Sequence, residues 1–461
     1  MHGWVAVILA AGRGTRMRSA LPKVLHPVAG RPMVQLVCET AREAGFREIV
    51  VVVPEADGEV ARRVAPYARV AAQGEPLGTG HAALAARAQI GEAPKVMILN
   101  ADLPLLTART LREMAGRHDA SAHVLTFLTA YLDDPTGYGR VMRRNGRVHG
   151  IIEESETDAA TRGEPEVNAG LYAAEASWLW PVLEGIAPGP RGERYLTDAI
   201  GIAVARGEGV QAYQVSEAAE VQQVNTRVEL ARAEQLLRDR IRRRLMLDGV
   251  TLVDPSHTYV DAGVVVGPDT TLLPGVHLLG DTRVGSGCRI GPNAVLRDMR
   301  VGDGCEIGGS TLEGSTLGEG VTVGPYCHVR PGSTIEHDAH LGNYAEVKAS
   351  RIGARTQMGH FSYVGDADVG ADVNIGAGAV TCNFDGERKH HTRIGDGAFI
   401  GSDSMLIAPV EVGARARTAA GAVVTRDVPA GALVVGQPAR VREPGVEAGR
   451  APAADEGGEG S

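Results

Sequence analysis

The residues best suited to chemistry fall into three groups. The first is Gly12-Arg13-Gly14-Thr15-Arg16-Met17 followed by Leu21-Pro22-Lys23. Backbone amides of such a loop can cradle phosphates, while Arg16 offers a planar fork and Lys23 a point charge, a set suited to a triphosphate. Gly12-x-Gly14 alone is a weak signal, since a dinucleotide fingerprint wants a third glycine and an acidic residue about 20 positions on; a solvated loop is the alternative. The second group is Asn100-Ala101-Asp102, which closes the apolar run Val96 to Leu99. The third is His360 in Met-Gly-His-Phe-Ser-Tyr-Val-Gly-Asp. Imidazole is the side chain whose proton affinity suits removing a proton near pH 7, although a lone histidine in a repeated coil is more often structural.

Lysine usage adds an independent pointer. Of 47 basic residues only four are Lys, at positions 23, 95, 348 and 389. Where arginine serves for generic positive charge, a retained lysine marks a place that needs a compact, flexible ammonium. Lys95, beside Pro94 and ahead of an apolar run, carries no such implication; the other three fall inside the motifs described here.

The elements that must position these groups differ between the two halves. Trp4 to Ala11 reads as a strand buried on both faces, Met33 to Ala44 as a helix stopped by Gly45, Ile49 to Val53 as a strand, His81 to Ala88 as part of a helix, Val96 to Leu99 as a strand and Leu111 to Arg117 as a helix. That alternation predicts an α/β domain with a mostly parallel sheet covered on both faces. Ligands of such sheets lie at the carboxyl ends of the strands, where the glycine loop and Asp102 both fall. Thr226-Arg-Val-Glu229 is a capping box, and Leu230, Leu237, Ile241 and Leu245 follow at helical spacing, which makes this segment a linker helix. The second half beats in sixes. Leu317, Val323, Val329, Ile335, Leu341 and Val347 fall six apart, Ile352, Met358 and Val364 resume one residue early, and Ile394 and Ile400 take up the beat again. A repeat this short predicts a parallel β-helix of hexapeptide coils over residues 250 to about 436. A β-sandwich would need strands at roughly 8–12-residue spacing. Glycines after many of the aliphatics, Gly318, Gly324, Gly342, Gly353 and Gly365, suit tight turns.

Leu9 to Met17 with Leu21-Pro22-Lys23 resembles the signature of sugar-phosphate nucleotidylyltransferases. Joined to a hexapeptide β-helix, the chain is similar from Val5 to about Val435 to the bacterial bifunctional N-acetylglucosamine-1-phosphate uridylyltransferase/glucosamine-1-phosphate acetyltransferases. The resemblance implies a Rossmann-like uridylyltransferase domain over 1–226, a linker helix over 227–248 and a left-handed β-helix acetyltransferase domain over 249–444; the Ala-, Gly- and Glu-rich end with few apolar residues reads as a disordered tail over 445–461. It implies that Leu9, Ala10, Ala11 and Gly12 contact the nucleotide with Asn100 and Ala101 beside them, that Arg16 and Lys23 serve its phosphates, and that Gln73, Gly78 and Thr79 read uracil. Gly139, Glu153 and Asn168 match sugar contacts, and Asp102 and Asn225 the magnesium ligands. Magnesium wants hard oxygen donors, few of them from protein, which one Asp and one Asn supply. No side-chain nucleophile is required, because the sugar phosphate attacks the α-phosphorus of UTP in line.

In the second half, Arg330, Lys348, Tyr363, Asn374 and Lys389 match contacts to glucosamine-1-phosphate, His360 the general base, and Ala377, Asn383, Phe384, Ser402, Ala420 and Gln437 positions of acetyl-CoA contacts. The chain departs from the family pattern in places. Ala101 stands where the family usually has Gly, Ala169 where it has Thr, Phe384 where it has Tyr, His391 where a Lys is common nearby, and Gln437 where it can carry an Arg. Fit in the sugar pocket and coenzyme affinity are the properties these changes touch.

Composition sets the remaining bounds. At 461 residues with a net charge of −9, the chain is an unsuitable general partner for nucleic acid or anionic membrane. The five cysteines show no zinc-type pairing and read as reduced thiols in a cytoplasmic protein. The apolar run Trp4 to Ala11 is too short to span a membrane and lacks a basic flank and a cleavage site. The arginines between Arg238 and Arg244 read as a solvated helix face. The expected assembly is a homotrimer acting on UTP, N-acetylglucosamine-1-phosphate, glucosamine-1-phosphate and acetyl-CoA. Two competing readings remain: a nucleotidyltransferase for another sugar phosphate whose β-helix is only an assembly tail, and a trimerising scaffold without chemistry in its second half.

Overall fold

The computed structural model describes residues 1–12, 14–189 and 192–442; Arg13 and the expected disordered tail at 445–461 lie outside the described residues. The chain divides into two compact units, Met1–Asp239 and Arg240 onward.

The first unit is built on one sheet whose strands run in the order Val210–Gln214, Leu125–Tyr131, Glu166–Glu175, Lys95–Asn100, Trp4–Leu9, Glu48–Val53, Arg69–Ala72. Neighbours are parallel except at Glu166–Glu175, which runs against both its partners. Alternate residues of Trp4–Leu9 enter different cores, Ala6 and Ile8 one and Val5 and Val7 the other, which is why this strand is apolar throughout. Leu9 pairs with Asn100, so the glycine loop and Asp102 leave the sheet from one edge. The helix Met33–Ala44 ends at Gly45 with φ 101. The segment from His81 forms the helix Thr79–Ala85 and a 3₁₀ turn at Arg87–Gln89. The expected helix over 111–117 starts earlier, at Ala108, because the Thr107 hydroxyl accepts from the Thr110 amide at 3.2 Å. The helix Arg227–Leu247 begins at its capping box: the Glu229 amide donates to the Thr226 hydroxyl at 3.2 Å and the Thr226 amide to the Glu229 carboxylate at 2.7 Å. Among the described residues no helix is long and apolar enough to cross a membrane.

The second unit is a parallel β-helix of hexapeptide coils, of the left-handed class. Three strips of two- to four-residue strands form sheets of 12, 10 and 9 strands. Leu317, Val323 and Val329 belong to the three different sheets, and Ile335 returns to pair with Leu317. Six residues is therefore one side of the coil. The early resumption at Ile352 keeps its pairing with Ile335. The interior line is fully enclosed, with Val329, Ile335, Leu341, Val347, Ile352 and Met358 all at 0 % exposure.

The glycines that follow the aliphatics serve a different purpose from the one expected. Of Gly318, Gly324, Gly342, Gly353 and Gly365, only Gly324 has a positive φ. A Cβ on Gly342 would lie 2.0 Å from the Gly359 carbonyl oxygen, and one on Gly353 would lie 2.3 Å from the Gly370 backbone. Gly318, Gly342 and Gly353 let neighbouring coils approach, while the left-handed positions of the turns fall at other residues such as Gly320, Asp338 and Tyr344. Gly342→Ala should therefore destabilise the protein by about 1–3 kcal/mol, as overpacking does. Gly359→Ala, with nothing within 4 Å of its Cβ, should leave the urea midpoint near that of the wild type; equal midpoints for the two variants would refute the coil-stacking explanation.

Candidate active sites

At the carboxyl edge of the first unit's sheet lies a cleft of about 610 Å³ lined by Leu9, Ala10, Ala11, Gly12, Lys23, Gln73, Gly78, Thr79, Asn100 and Asp102. A second cavity of about 210 Å³ shares Leu9, Thr79 and Asn100 with it and adds Gly139, Glu153 and Asn168. Two of the departures from the family pattern do not reach either space. Ala101 and Ala169 are 1 % and 0 % exposed and belong to the apolar core, so their methyls face away from the cavities. Arg16 is likewise not brought in: it stands exposed on the turn Thr15–Met17 and lines neither cavity.

The heart of the cleft is one ammonium. Lys23 Nζ donates to Asp102 Oδ2 at 2.6 Å and to Asn225 Oδ1 at 3.0 Å. The Lys23 and Asp102 side chains are only 12 % and 15 % exposed. Gly14 makes the approach possible: its φ is +60, and a Cβ there would meet the Lys23 Cβ at 2.4 Å. Asn225 is held by its backbone, whose amide donates to Glu229 Oε2 at 2.6 Å, and the Val224 amide donates to the Asp102 carbonyl at 3.1 Å. Asp102 Oδ1 is buried without a hydrogen-bond partner. Converging hard oxygens, one of them unsatisfied, fit a divalent cation such as magnesium.

The walls are held by close polar contacts. Gln73 Nε2 donates to the Gly78 carbonyl at 3.2 Å. Gly78, at φ +98, would place a Cβ 2.5 Å from the Arg194 carbonyl oxygen, and the Thr79 hydroxyl accepts from the Leu196 amide at 2.9 Å. In the smaller cavity Asn168 Nδ2 donates to the Tyr172 hydroxyl at 2.6 Å. Gly170, at φ +76, leaves room for the Asn100 amide, which would lie 2.3 Å from a Cβ. Glu153 Oε1 accepts from the Thr197 hydroxyl at 2.6 Å. Sequence reasoning missed Tyr138, Glu193, Tyr195, Thr197 and Gln223, which also line these spaces. Tyr138 sat beside the Gly139 already singled out, and Thr197-Asp198 carries a helix-start signature ahead of Asp198–Ala205; Gln223 carries no local signal.

On the β-helix, the polar candidates gather at two corners of the ten-stranded sheet. At the carboxyl ends of its strands, Lys348 Nζ donates to Asp366 Oδ2 at 3.1 Å, and Asn383 Nδ2 donates to the same carboxylate and, at 3.4 Å, to the Tyr363 hydroxyl. The neighbouring Lys348 ammonium lowers the pKa of Lys389. Arg330 donates to Glu346 at 3.1 Å in the same sheet. Asp366, absent from the sequence-based set, is the hub of this corner. The other corner carries His360, which is exposed. There Gly378 donates to the Phe361 carbonyl, Asp403 to that of Ala377 and Gly421 to that of Ser402. The turns holding His360, Ala377, Ser402 and Ala420 therefore stack in one column, and Gln437 Nε2 joins it at the Gly421 carbonyl, 3.0 Å away. The strand Ser362–Gly365 joins the two corners. Asn374 lies in the adjoining twelve-stranded sheet. Phe384 is 59 % exposed and bridges to Lys389, closing the loop that interrupts the beat, and His391 Nε2 lies 3.1 Å from Asp368. All five cysteines are unpaired.

Comparison with known proteins agrees with both halves. Residues 6–148 match the MobA-like NTP transferase domain, and residues 263–298, 314–349 and 391–426 match the bacterial transferase hexapeptide (six repeats). Fold and sites thus define a nucleotidyltransferase fused to a hexapeptide-repeat transferase. Bifunctional protein GlmU of Trichlorobacter lovleyi is 45 % identical over 446 residues, covering 95 % of this chain and 97 % of the relative. The Heliobacterium modesticaldum protein of the same name is 45 % identical over 438 residues, covering 94 % and 96 %, and that of a Geobacillus species 42 % identical over 441 residues, covering 95 % and 96 %. The chain belongs to the GlmU family of bifunctional proteins.

Burial supplies a test of the smaller cavity. It pushes the Glu153 carboxyl up from the ordinary 4.5, against the lowering effect of the Thr197 hydroxyl. An acid with a raised folded-state pKa stays protonated in the native protein after the unfolded chain has lost its proton, so stability falls as pH rises through that window. Glu153→Gln should therefore be more stable than the wild type at pH 7, with the difference closing below about pH 4. Thermal unfolding across pH checks this, and a pH-independent difference would contradict it.

Proposed function

We infer that this chain performs two consecutive steps of UDP-N-acetylglucosamine synthesis, acetylating glucosamine-1-phosphate with acetyl-CoA on the β-helix and transferring UMP from UTP to N-acetylglucosamine-1-phosphate in the α/β cleft. The product feeds peptidoglycan, lipopolysaccharide and other cell-envelope polymers. The observation that carries the reading is that three of the four lysines fall in two separate polar clusters, Lys23 with Asp102 and Lys348 with Lys389 and Asp366, on a chain that matches bifunctional relatives nearly end to end.

In the uridylyl step, the Leu9–Gly12 backbone carries the nucleotide, Gln73, Gly78 and Thr79 read its base, and Gly139, Glu153 and Asn168 orient the sugar phosphate for in-line attack at the α-phosphorus. The P–O bond to pyrophosphate breaks as the new one forms. Asp102 and Asn225 would hold magnesium, which when bound neutralises and orients the phosphates. Lys23 serves the same phosphates, and Arg16 joins them by moving in from its exposed turn. In the acetyl step, Arg330, Lys348, Tyr363, Asn374 and Lys389 hold the amino sugar phosphate, and Ala377, Asn383, Phe384, Ser402, Ala420 and Gln437 hold the coenzyme. His360 takes a proton from the amine as the C–N bond forms and the C–S bond of the thioester breaks.

The reading extends to assembly and compartment. Tyr326, Tyr344 and Phe361 are 65 %, 60 % and 58 % exposed, and the two tyrosine rings stack at 5.2 Å. An aromatic surface beside the His360 column supports a homotrimer in which neighbouring subunits complete the acetyl site. Unpaired cysteines and nucleotide substrates support a cytoplasmic location, and 1–226, 227–248 and 249–444 are the proposed functional segments.

Asp102→Ala should abolish uridylyl transfer and spare acetyl transfer, whereas His360→Ala should do the reverse; equal loss of both activities in a folded variant would sink the assignment. Lys348→Arg should lower acetyl transfer on the order of tenfold, about 1.4 kcal/mol of transition-state stabilisation, because a planar fork cannot take the place of a point charge. Lys95→Arg is the control: Lys95 pairs with Asp119 at 2.5 Å, away from both clusters, and both activities should persist.

A further inference from the structure

Lys23 satisfies the two residues read as metal ligands at the same time, and so competes with any metal that would use them. We propose that Lys23 is a resident counter-ion of Asp102 and Asn225, displaced only when nucleotide phosphates arrive to receive its ammonium, so that a divalent cation enters the cleft together with the nucleotide and not before it. The inference rests on the reading of Asp102 and Asn225 as the metal-holding pair.

Three features separate a counter-ion from a structural brace. Nζ donates to both Asp102 Oδ2 and Asn225 Oδ1, the very oxygens a cation would take, and two positive centres sharing them in a mostly buried site repel strongly. The backbone that carries these oxygens is also anchored without Lys23. Asn225 is anchored through its amide to Glu229, Val224 through its amide to the Asp102 carbonyl. Removing the ammonium therefore leaves both donors on anchored backbone, with Asp102 Oδ1 buried and unpartnered. Finally, the lysine is fixed at its root and carries its ammonium on a flexible stem. The glycine loop closes on Lys23 at Gly14, where a Cβ would clash at 2.4 Å, while the four-carbon stem beyond can swing. A triphosphate in a cleft lined by Lys23 and Gly12 gives the ammonium a stronger anion than one carboxylate and leaves the oxygens open.

The test is direct Mn2+ binding, read by the loss of the free-ion EPR signal, to the full-length wild type, Lys23→Met, Lys23→Arg and Asp102→Asn, each with and without a non-hydrolysable UTP analogue. Without nucleotide, Lys23→Met should bind Mn2+ at least tenfold more tightly than the wild type. Lys23→Arg, which keeps a cation, should behave as the wild type does. The wild type itself should gain at least tenfold when the analogue is added. Retained acetyl transfer and near-UV circular dichroism report folding, and Lys23→Gln replaces the Met variant should that lose its native signal. If Lys23→Met binds Mn2+ no better than the wild type, or neither binds detectably without nucleotide, while Asp102→Asn abolishes nucleotide-dependent binding, the counter-ion role is overturned and the metal reading stands. If Mn2+ binding survives Asp102→Asn, the metal reading fails and the inference with it.

Discussion

A single ammonium shared by a carboxylate and an amide joins three parts of the first unit that are far apart in the chain. Lys23 reaches Asp102 across 79 positions and Asn225 across 202. Each partner is delivered by a different element: Lys23 by the turn after the glycine loop, Asp102 by the end of a central strand, Asn225 by the cap of the long helix. The local chemistry of each element is thus a condition on the cleft. Without a glycine at 14 the loop could not close over Lys23, and without Glu229 the Asn225 and Thr226 amides would lose their acceptor. A capping box that elsewhere only begins a helix here also fixes Asn225 beside Lys23.

The second unit meets a different constraint with the same economy of means. Coils stack in register, so every side chain at a corner lies above its counterpart one coil earlier. Stacking makes the core from repeated aliphatics and forces glycine where two coils touch, as at Gly342 and Gly353. It also assembles polar clusters with little regard to distance in sequence. Asn383 lies beside Asp366, which pairs with Lys348, because Lys348 ends a strand of one sheet and Asp366 and Asn383 each follow the next ones. A repeat that stabilises by uniformity thereby offers columns in which single substitutions create a site.

Much of this was legible in the residues. The beat of aliphatics identified the coils and even the early step at Ile352, since the inward-facing period of a β-helix is written directly in hydrophobicity. Thr226 and Glu229 announced the helix start through side chains that bond locally. Most of the cleft residues flagged by motif line the two cavities, but Arg16 stands outside them and Ala101 is buried in the apolar core. What could not be read depends on contacts between distant segments. Tyr195 and Gln223 enter the cavities through backbone paths no local pattern encodes, and Asp366 becomes a hub only once coils are stacked. The glycines after the aliphatics were visible, but their reason was not, because steric contact between coils leaves no trace in the spacing. Scarcity of lysine pointed to position 23 without revealing that its partners are a carboxylate and an amide.

That scarcity also makes the central claim measurable. With four lysines in 461 residues, a protein labelled with 13Cε,15Nζ-lysine yields four side-chain signals, and Lys23→Arg assigns the one that matters. If Lys23 passes from Asp102 to phosphate as the cleft is loaded, its signal should shift when a UTP analogue is added with magnesium and stay in place with magnesium alone. A Lys23 signal that moves equally with magnesium alone, or fails to move when nucleotide binds, would contradict the account.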